Sequence, residues 1–359
     1  MTTDAQPIPQ YMALALQPVM VGAKERADIT RNLDHIAELA FAAKNVTEIE
    51  LPVRLYTIPE GALQGFSDEI FDWDHVEMVE RLAIEIPGPE TDYISGLARA
   101  LDAYVIAQAK TTHPEFPERF FNCAFVIDPQ GEVVHRHYKM QVFAREHSTV
   151  PHDVWDKWVE LYGENLDAFF PVTDTEIGRI GCLICMEGSF PETARGLAMN
   201  GAELVYRPSY PEPYVGNGLW EVQNRSRALD NTMYMVCPNP AAYAPSVDSK
   251  YPLDMFGGES MIVDYQGRII GIHKAGGAAS YAGAIIDIEG LRQYREQSLW
   301  GNWLKDLRTE QYRLIYDAPL YEKNRAIDRP PLKHAENDEV VRAAVERMFE
   351  RNIYKRPTK

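Results

Sequence analysis

Short apolar runs alternate with longer stretches of helical spacing, and the alternation occurs twice along the chain. Met12-Ala13-Leu14-Ala15-Leu16 predicts a first strand, and the periodicity that follows predicts a helix from about 28 to 43 with Asp28 or Thr30 as its N-cap. A strand over about 48–58, a helix over about 91–103 and a strand at Tyr104-Val105-Ile106-Ala107-Gln108 come next. The runs 120–127 and 132–139 flank Asp128-Pro129-Gln130-Gly131, whose proline and glycine suit the turn of a hairpin.

Beyond residue 200 the same unit returns as a strand at 203–207, a helix at 219–230, a strand at 233–238 and a hairpin at 260–273 around Asp264-Tyr265-Gln266-Gly267. Two helix-and-strand halves, each ending in an Asp-x-x-Gly hairpin, imply two facing sheets with helices outside. The expected fold is α/β, a four-layer α-β-β-α sandwich. Between the halves, Val154, Trp155, Trp158, Val159, Leu161, Tyr162 and Leu166 recur at helical spacing and predict an amphipathic helix over 153–169. Its tryptophan face either packs on the sandwich or walls a pocket as a lid or subunit contact. The character changes after residue 290, where Trp300, Trp303, Tyr312, Tyr316 and Tyr321 are interspersed with arginines, followed by Arg329-Pro330-Pro331 and a charged helix over about 338–351. We therefore divide the chain into a domain over 1–290 and a C-terminal extension over 291–359, suited to an arm that lies across another subunit.

Candidate chemistry lies at strand ends. Gly181-Cys182-Leu183-Ile184-Cys185-Met186-Glu187 reads as a buried strand that breaks just before a helix, which places Cys185 at an exposed turn near a helix N-terminus. Both placements favour thiolate over a thiol of ordinary pKa, about 8.5. The alternative is a small, inert core cysteine, the reading that suits Cys182 inside the apolar run. Glu60 follows a strand in Thr57-Ile58-Pro59-Glu60, and Lys139 closes another in His137-Tyr138-Lys139. Either one alone reads as a solvated surface charge.

Together, Pro59-Glu60, Tyr138-Lys139 and Cys185-Met186-Glu187 resemble the Glu-Lys-Cys triad of the nitrilase superfamily of carbon-nitrogen hydrolases. The resemblance covers roughly residues 10–290 and includes Ile86-Pro87-Gly88-Pro89-Glu90-Thr91 and Phe256-Gly257-Gly258-Glu259-Ser260. It independently implies the α-β-β-α architecture and pairing into a homodimer or larger assembly. It also implies Glu60 as general base, Cys185 as nucleophile, and Lys139 with the Met186 backbone N–H as oxyanion donors. For the second glutamate of the family, the spacing after Lys139 points to Glu146, while the longer Lys-to-Cys interval points to Glu160 or Glu164. The substrate class implied is a small amide or carbamoyl compound. The alternatives are a nitrile, an acyl transfer to an acceptor other than water, and a catalytically silent binding protein of the same fold. The loop Tyr210-Pro211-Glu212-Pro213-Tyr214 follows a strand beside the nucleophile, so Tyr210 and Glu212, with Trp220, are expected at the pocket.

Composition narrows the partners. Asp and Glu outnumber Lys and Arg by 53 to 36, and the net charge of −17 repels nucleic acid and anionic lipid. The first ten residues lack the basic start and apolar run of a signal peptide, and no stretch approaches the roughly twenty apolar residues of a membrane span, so the expected location is cytoplasmic. With no phosphate-binding glycine motif, no cofactor is expected. Cys182-x-x-Cys185 suggests a redox dithiol or half a zinc site, but Cys182 lies inside the apolar run, and the two further ligands His135-x-His137 could supply need only share a strand face, so no metal is expected.

Overall fold

The computed structural model describes residues 6–209, 217–331 and 333–358. Tyr210 and Glu212 lie outside the described residues.

Alternation along the strands builds the layers. In Tyr11–Gln17, Met12, Leu14 and Leu16 face one apolar cluster, while Tyr11, Ala13 and Ala15 face another. The first cluster includes Ile29, Leu33, Ile36 and Ala40 of the helix Ile29–Thr47 and Ile94, Leu97 and Ala98 of the helix Pro89–Leu101. The second joins Ala13, Ala15, Leu55, Ile106, Ala124 and Val126 to Ile180, Cys182, Leu204, Tyr206, Val236 and Ile262, which belong to a different sheet. A third cluster packs the helices Pro191–Met199 and Leu219–Asn231 on that second sheet's far face. The result is the expected α-β-β-α sandwich, its two sheets meeting through largely small and β-branched residues that permit close approach.

The first sheet runs in the order Ser280–Ile286, Tyr11–Gln17, Val53–Thr57, Tyr104–His113, Phe116–Ile127, Val133–Tyr138. The second runs Ile269–Ile272, Met261–Val263, Tyr234–Cys237, Leu204–Tyr206, Gly178–Cys182, Val172–Thr175. Two strands of these sheets escaped the sequence reading, as did the separate parallel pair Val19–Val21 and Ala242–Ala244. Ser280–Ile286 returns from the second half to pair antiparallel with Tyr11–Gln17, from Tyr11 opposite Ile286 to Gln17 opposite Ser280. Val172–Thr175 is a short edge strand with an exposed Asp174 and little apolar signal.

Element boundaries differ from the periodicity reading in several places, and the strands Tyr104–His113 and Phe116–Ile127 are longer than expected. The first helix continues to Thr47, so the next strand begins only at Val53. The helix expected over 153–169 is broken: Trp155–Tyr162 ends at Gly163, whose φ of 83° leaves the helical region, and Leu166–Phe169 starts afresh under the side-chain cap of Asn165. The charged C-terminal helix starts earlier, spanning His334–Glu350.

The connecting helix packs on the sandwich through one tryptophan and lines a cavity through the other. Trp158 is buried against Phe116, Phe121 and Tyr138, with its Nε1 donating to the Ala168 carbonyl at 3.1 Å. Trp155 instead stacks on Phe169 and lines a cavity.

The helix Ile288–Gln297 runs across residue 290 and buries Ile288 and Leu291 between the sheets. Farther on, the C-terminal segment folds back onto its own chain. Asn324 and Ala326 donate backbone N–H groups to the carbonyls of His152 and Asp153, each at 3.0 Å. Asn337 Nδ2 reaches the Ala144 carbonyl at 3.0 Å, and Arg145 pairs with Asp338 at 2.9 Å. These contacts strap the extension across residues 144–153. Because Trp158 anchors the base of this region, Trp158→Ala is expected to cost about 3–5 kcal/mol, the range for truncating a buried aromatic residue; the denaturation midpoint of wild type and variant measures it.

Candidate active site

Glu60, Lys139 and Cys185 each lie just beyond the C-terminal end of a strand, Val53–Thr57, Val133–Tyr138 and Gly178–Cys182 respectively. Packing of the two sheets face to face brings these ends together. Tyr206 of the second sheet ties them, its hydroxyl donating to the Ile58 carbonyl at 2.5 Å, two residues before Glu60.

At the centre is the ammonium of Lys139, fully buried. Its Nζ donates to Glu60 Oε1 at 2.9 Å and to Glu146 Oε2 at 2.6 Å. Burial disfavours the charge, and Glu146, Glu60 and Cys185 together outweigh that cost, holding the Lys139 pKa well above the ordinary lysine value. Glu146 is also buried; burial pushes its carboxyl up, but Lys139 and Lys110, with hydrogen bonds from Lys139 and Asn122, bring its pKa below the usual value. Of the three glutamates considered for this place, the structure brings Glu146 to Lys139 and leaves Glu160 and Glu164 exposed on the outer helix and the loop after it.

The carboxylates are held from behind by residues the sequence reading missed. Asn122 Nδ2 donates to Glu60 Oε1 and to Glu146 Oε1, both at 2.9 Å. Gln108 Nε2 fixes the Asn122 carbonyl at 2.7 Å and its own Oε1 accepts from the Gly61 N–H at 2.7 Å, while Ser148 Oγ donates to Glu146 Oε1 at 2.9 Å. The signal was available: Asn122 and Gln108 are amides inside otherwise apolar strands, where a buried polar group demands a partner. Glu60 Oε2 accepts no hydrogen bond among the described residues. One carboxylate oxygen is thus committed to orientation and the other remains able to take a proton.

Cys185 is 8 % exposed and has φ +49°, a left-handed conformation uncommon outside glycine. Neighbours hold this elbow in place. The Cys185 N–H donates to the Pro208 carbonyl at 2.8 Å, and Arg207 Nη2 donates to the Cys185 carbonyl at 3.2 Å. Arg207 lies so close to Gly188 that a Cβ there would sit 2.0 Å from its Nε, so this position requires glycine. Cys182 points into the inter-sheet core, where burial pushes its thiol well above the ordinary pKa.

Glu187 takes a role the motif alone did not disclose. Its carboxylate accepts from Ile184 N–H at 2.6 Å, from Met140 N–H at 2.9 Å and contacts His137 Nε2 at 2.9 Å. Residues adjoining Cys185 and Lys139 therefore hang from one side chain, and His137 is engaged there while His135 Nδ1 meets Thr173 Oγ1 at 2.8 Å.

A cavity of about 690 Å³ opens beside this cluster. Met140, Glu146, Ser148 and Met186 form its inner end, and Trp155, Phe169, Phe170 and Phe190 give it an aromatic wall. The remaining side comes from the C-terminal extension, through Tyr321, Arg325 and Pro330 among others. Trp220, expected here, is instead wholly buried under the Arg207 guanidinium, with its Nε1 donating to the Glu259 carbonyl at 2.9 Å. Its site is structural because the helix Leu219–Asn231 turns that face toward the sheet.

Two predictions follow from this geometry. Glu187→Ala orphans two N–H groups at about 1–3 kcal/mol each, so stability should fall by at least about 2 kcal/mol in denaturant titration. The depressed Glu146 pKa contributes stability that is complete above about pH 4.3, the unfolded-state value, and is lost as pH falls through the lower folded-state value. Glu146→Gln should accordingly flatten the acid limb of a stability-against-pH curve below that point.

The description "Carbon-nitrogen hydrolase" belongs to a family model that matches residues 15–296. A formamidase from Bacillus cereus (strain Q1) is 29% identical over 240 residues, 66% of this chain, and the match spans 64% of that relative's length. Among solved structures, a carbon-nitrogen hydrolase from Helicobacter pylori G27 superposes with a TM-score of 0.64 at 20% identity, covering 86% of this chain and 99% of that one. A mutant amidase from Nesterenkonia sp. AN1, showing covalent addition of the acetamide moiety of fluoroacetamide at its active site cysteine, gives a TM-score of 0.59 at 21% identity over 85% of this chain and 96% of that one. The structural likenesses carry the same sandwich fold, and the family model spans most of the sequence, including Glu60, Lys139, Glu146 and Cys185; this chain belongs to the carbon-nitrogen hydrolase family.

Proposed function

We propose that the protein is a cysteine amidase that hydrolyses the C–N bond of a small amide or carbamoyl compound. The observation that carries this reading is the shared Lys139 ammonium, which orients Glu60 through one oxygen and leaves Glu60 Oε2 to accept a proton. The cysteine adduct of the amidase relative and the formamidase likeness support it by similarity.

In this scheme Glu60 takes the Cys185 thiol proton as the sulfur attacks the amide carbon, and the C=O π electrons move to oxygen. Lys139 and the Met186 N–H stabilise that oxyanion. Collapse expels the amine, which receives the proton from Glu60 and leaves a thioester on Cys185. Glu60 then deprotonates water, the hydroxyl adds to the thioester carbonyl, and collapse releases the acid as the sulfur regains the proton. Glu146 places the incoming amide or water. All groups involved belong to the chain, so the scheme uses no cofactor or metal.

The aromatic wall supports a substrate whose acyl or carbamoyl group carries apolar bulk, since a 690 Å³ cavity accommodates far more than the amide alone. We also propose a homodimer or larger assembly, supported by Leu299, Trp300, Leu314, Ile315 and Tyr316, large apolar residues exposed on the C-terminal extension. A cytoplasmic location suits Cys123, Cys182 and Cys237, which are buried thiols that form no disulfide among the described residues. Among the described residues no helix is long and apolar enough to cross a membrane.

Incubation with short and aryl amides, N-carbamoyl compounds and nitriles, with ammonia release and intact-protein mass as readouts, tests the reading. Wild type and Cys182→Ala should turn over amides, Cys185→Ala should release none, and Lys139→Ala should lose at least about 10²-fold, the scale of one oxyanion donor. Ammonia from nitriles alone would replace the substrate class, and a folded wild type that neither turns over nor acylates would replace the enzyme with a binding protein.

A further inference from the structure

Behind the catalytic cluster, Asp72, His147 and His334 bring a carboxylate oxygen and two imidazole nitrogens within 4.8 Å of one another. They come from three separated segments: the turn after the short helix Ser67–Ile70, the residue following Glu146, and the first residue of the C-terminal helix. His147 is only 3 % exposed. Its Nδ1 lies 3.1 Å from the Trp73 carbonyl, and since a carbonyl only accepts, Nδ1 carries the proton there. The neutral ring therefore presents a lone pair at Nε2. That nitrogen has no hydrogen-bond partner and faces Asp72 Oδ1 at 3.1 Å, acceptor against acceptor. Such a contact needs a cation between its two atoms.

His334 Nε2 lies 3.7 Å from the same Asp72 Oδ1 and donates to the Arg145 carbonyl oxygen at 3.0 Å, a proton that a bound ion would displace. A tetrahedral zinc site with bonds of about 2.0–2.1 Å sets its ligand atoms roughly 3.3 Å apart. The 3.1 and 3.7 Å separations bracket that value, and the two imidazole nitrogens lie within 4.8 Å of each other. The carbonyl that orients His147 through Nδ1 is the usual outer partner of a metal-bound imidazole. Neighbouring cations are already met: Lys110 by Asp68 and Glu69, and Arg145 by Asp338.

We propose that Asp72, His147 and His334 form a binding site for a zinc-class divalent cation, with the Arg145 carbonyl as a further oxygen donor. The ion takes the place of the shared proton and clasps the C-terminal extension to the loop that carries Glu146. It stands apart from the reaction and is independent of which substrate is cleaved.

The test uses the full-length protein, stripped by chelator and titrated with zinc or cobalt(II) alone, read by equilibrium dialysis and by the visible spectrum of cobalt. One equivalent per chain is expected, at least about tenfold weaker in Asp72→Asn and in His334→Gln, and unchanged in Cys185→Ala. Far-UV circular dichroism confirms that the variants are folded, and zinc should slow limited proteolysis of the extension in wild type but not in Asp72→Asn. Absence of stoichiometric binding, equal binding by the folded Asp72 and His334 variants, or loss of binding in Cys185→Ala would overturn the proposal, the last by assigning the metal to the thiol.

Discussion

The candidate site depends on one buried positive charge, that of Lys139. An ammonium withdrawn from water is tolerated only when anions replace its hydration, and Lys139 obtains this from Glu60 and Glu146 together. Each carboxylate in turn needs donors, which Asn122 and Ser148 supply, and Asn122 needs Gln108 to fix its amide. The polar network is closed on three sides by protein groups, and its remaining side, at Glu60 Oε2, faces the chemistry. Replacing any one member leaves the others buried and unbalanced, so the order in this cluster is collective rather than a sum of pair contacts.

Cys185, the proposed nucleophile, is held by a different device. Cys185 sits in a backbone conformation that costs energy for a side-chain-bearing residue, and such strain persists only where surroundings over-determine it. Glu187, Pro208 and Arg207 fix the residue before it, its own amide and its own carbonyl, in that order. Glu187 also holds Met140, so the elbow and the loop after Lys139 move as one piece. The reactive sulfur and the charge beside it therefore keep their spacing even though they sit on opposite sheets.

Much of this was legible in the sequence because its signals are local. Strand alternation, Asp-x-x-Gly turns and helix periodicity disclosed the layers, and the motif residues Glu60, Lys139 and Cys185 fall at three strand ends that the sheets bring together. What was illegible depends on contacts distant along the chain. Ser280–Ile286 earns its place as a strand by pairing with residues some 270 positions earlier, and no local pattern states that partner. Asn122 and Gln108 stood out only as polar interruptions, with nothing to say which carboxylates they would meet. The break at Gly163 was a local signal that helical periodicity on either side obscured. Trp220 was misplaced because an aromatic residue near a site and one beneath it look the same until a helix orients it.

The cavity's outer wall is drawn from Tyr321, Arg325 and Pro330. Glu60, Lys139, Glu146 and Cys185 lie in the segment matched by the family model, whereas these wall residues lie past its end at residue 296. A substitution in that peripheral stretch can therefore change the shape of the cavity while leaving all four of those side chains in place.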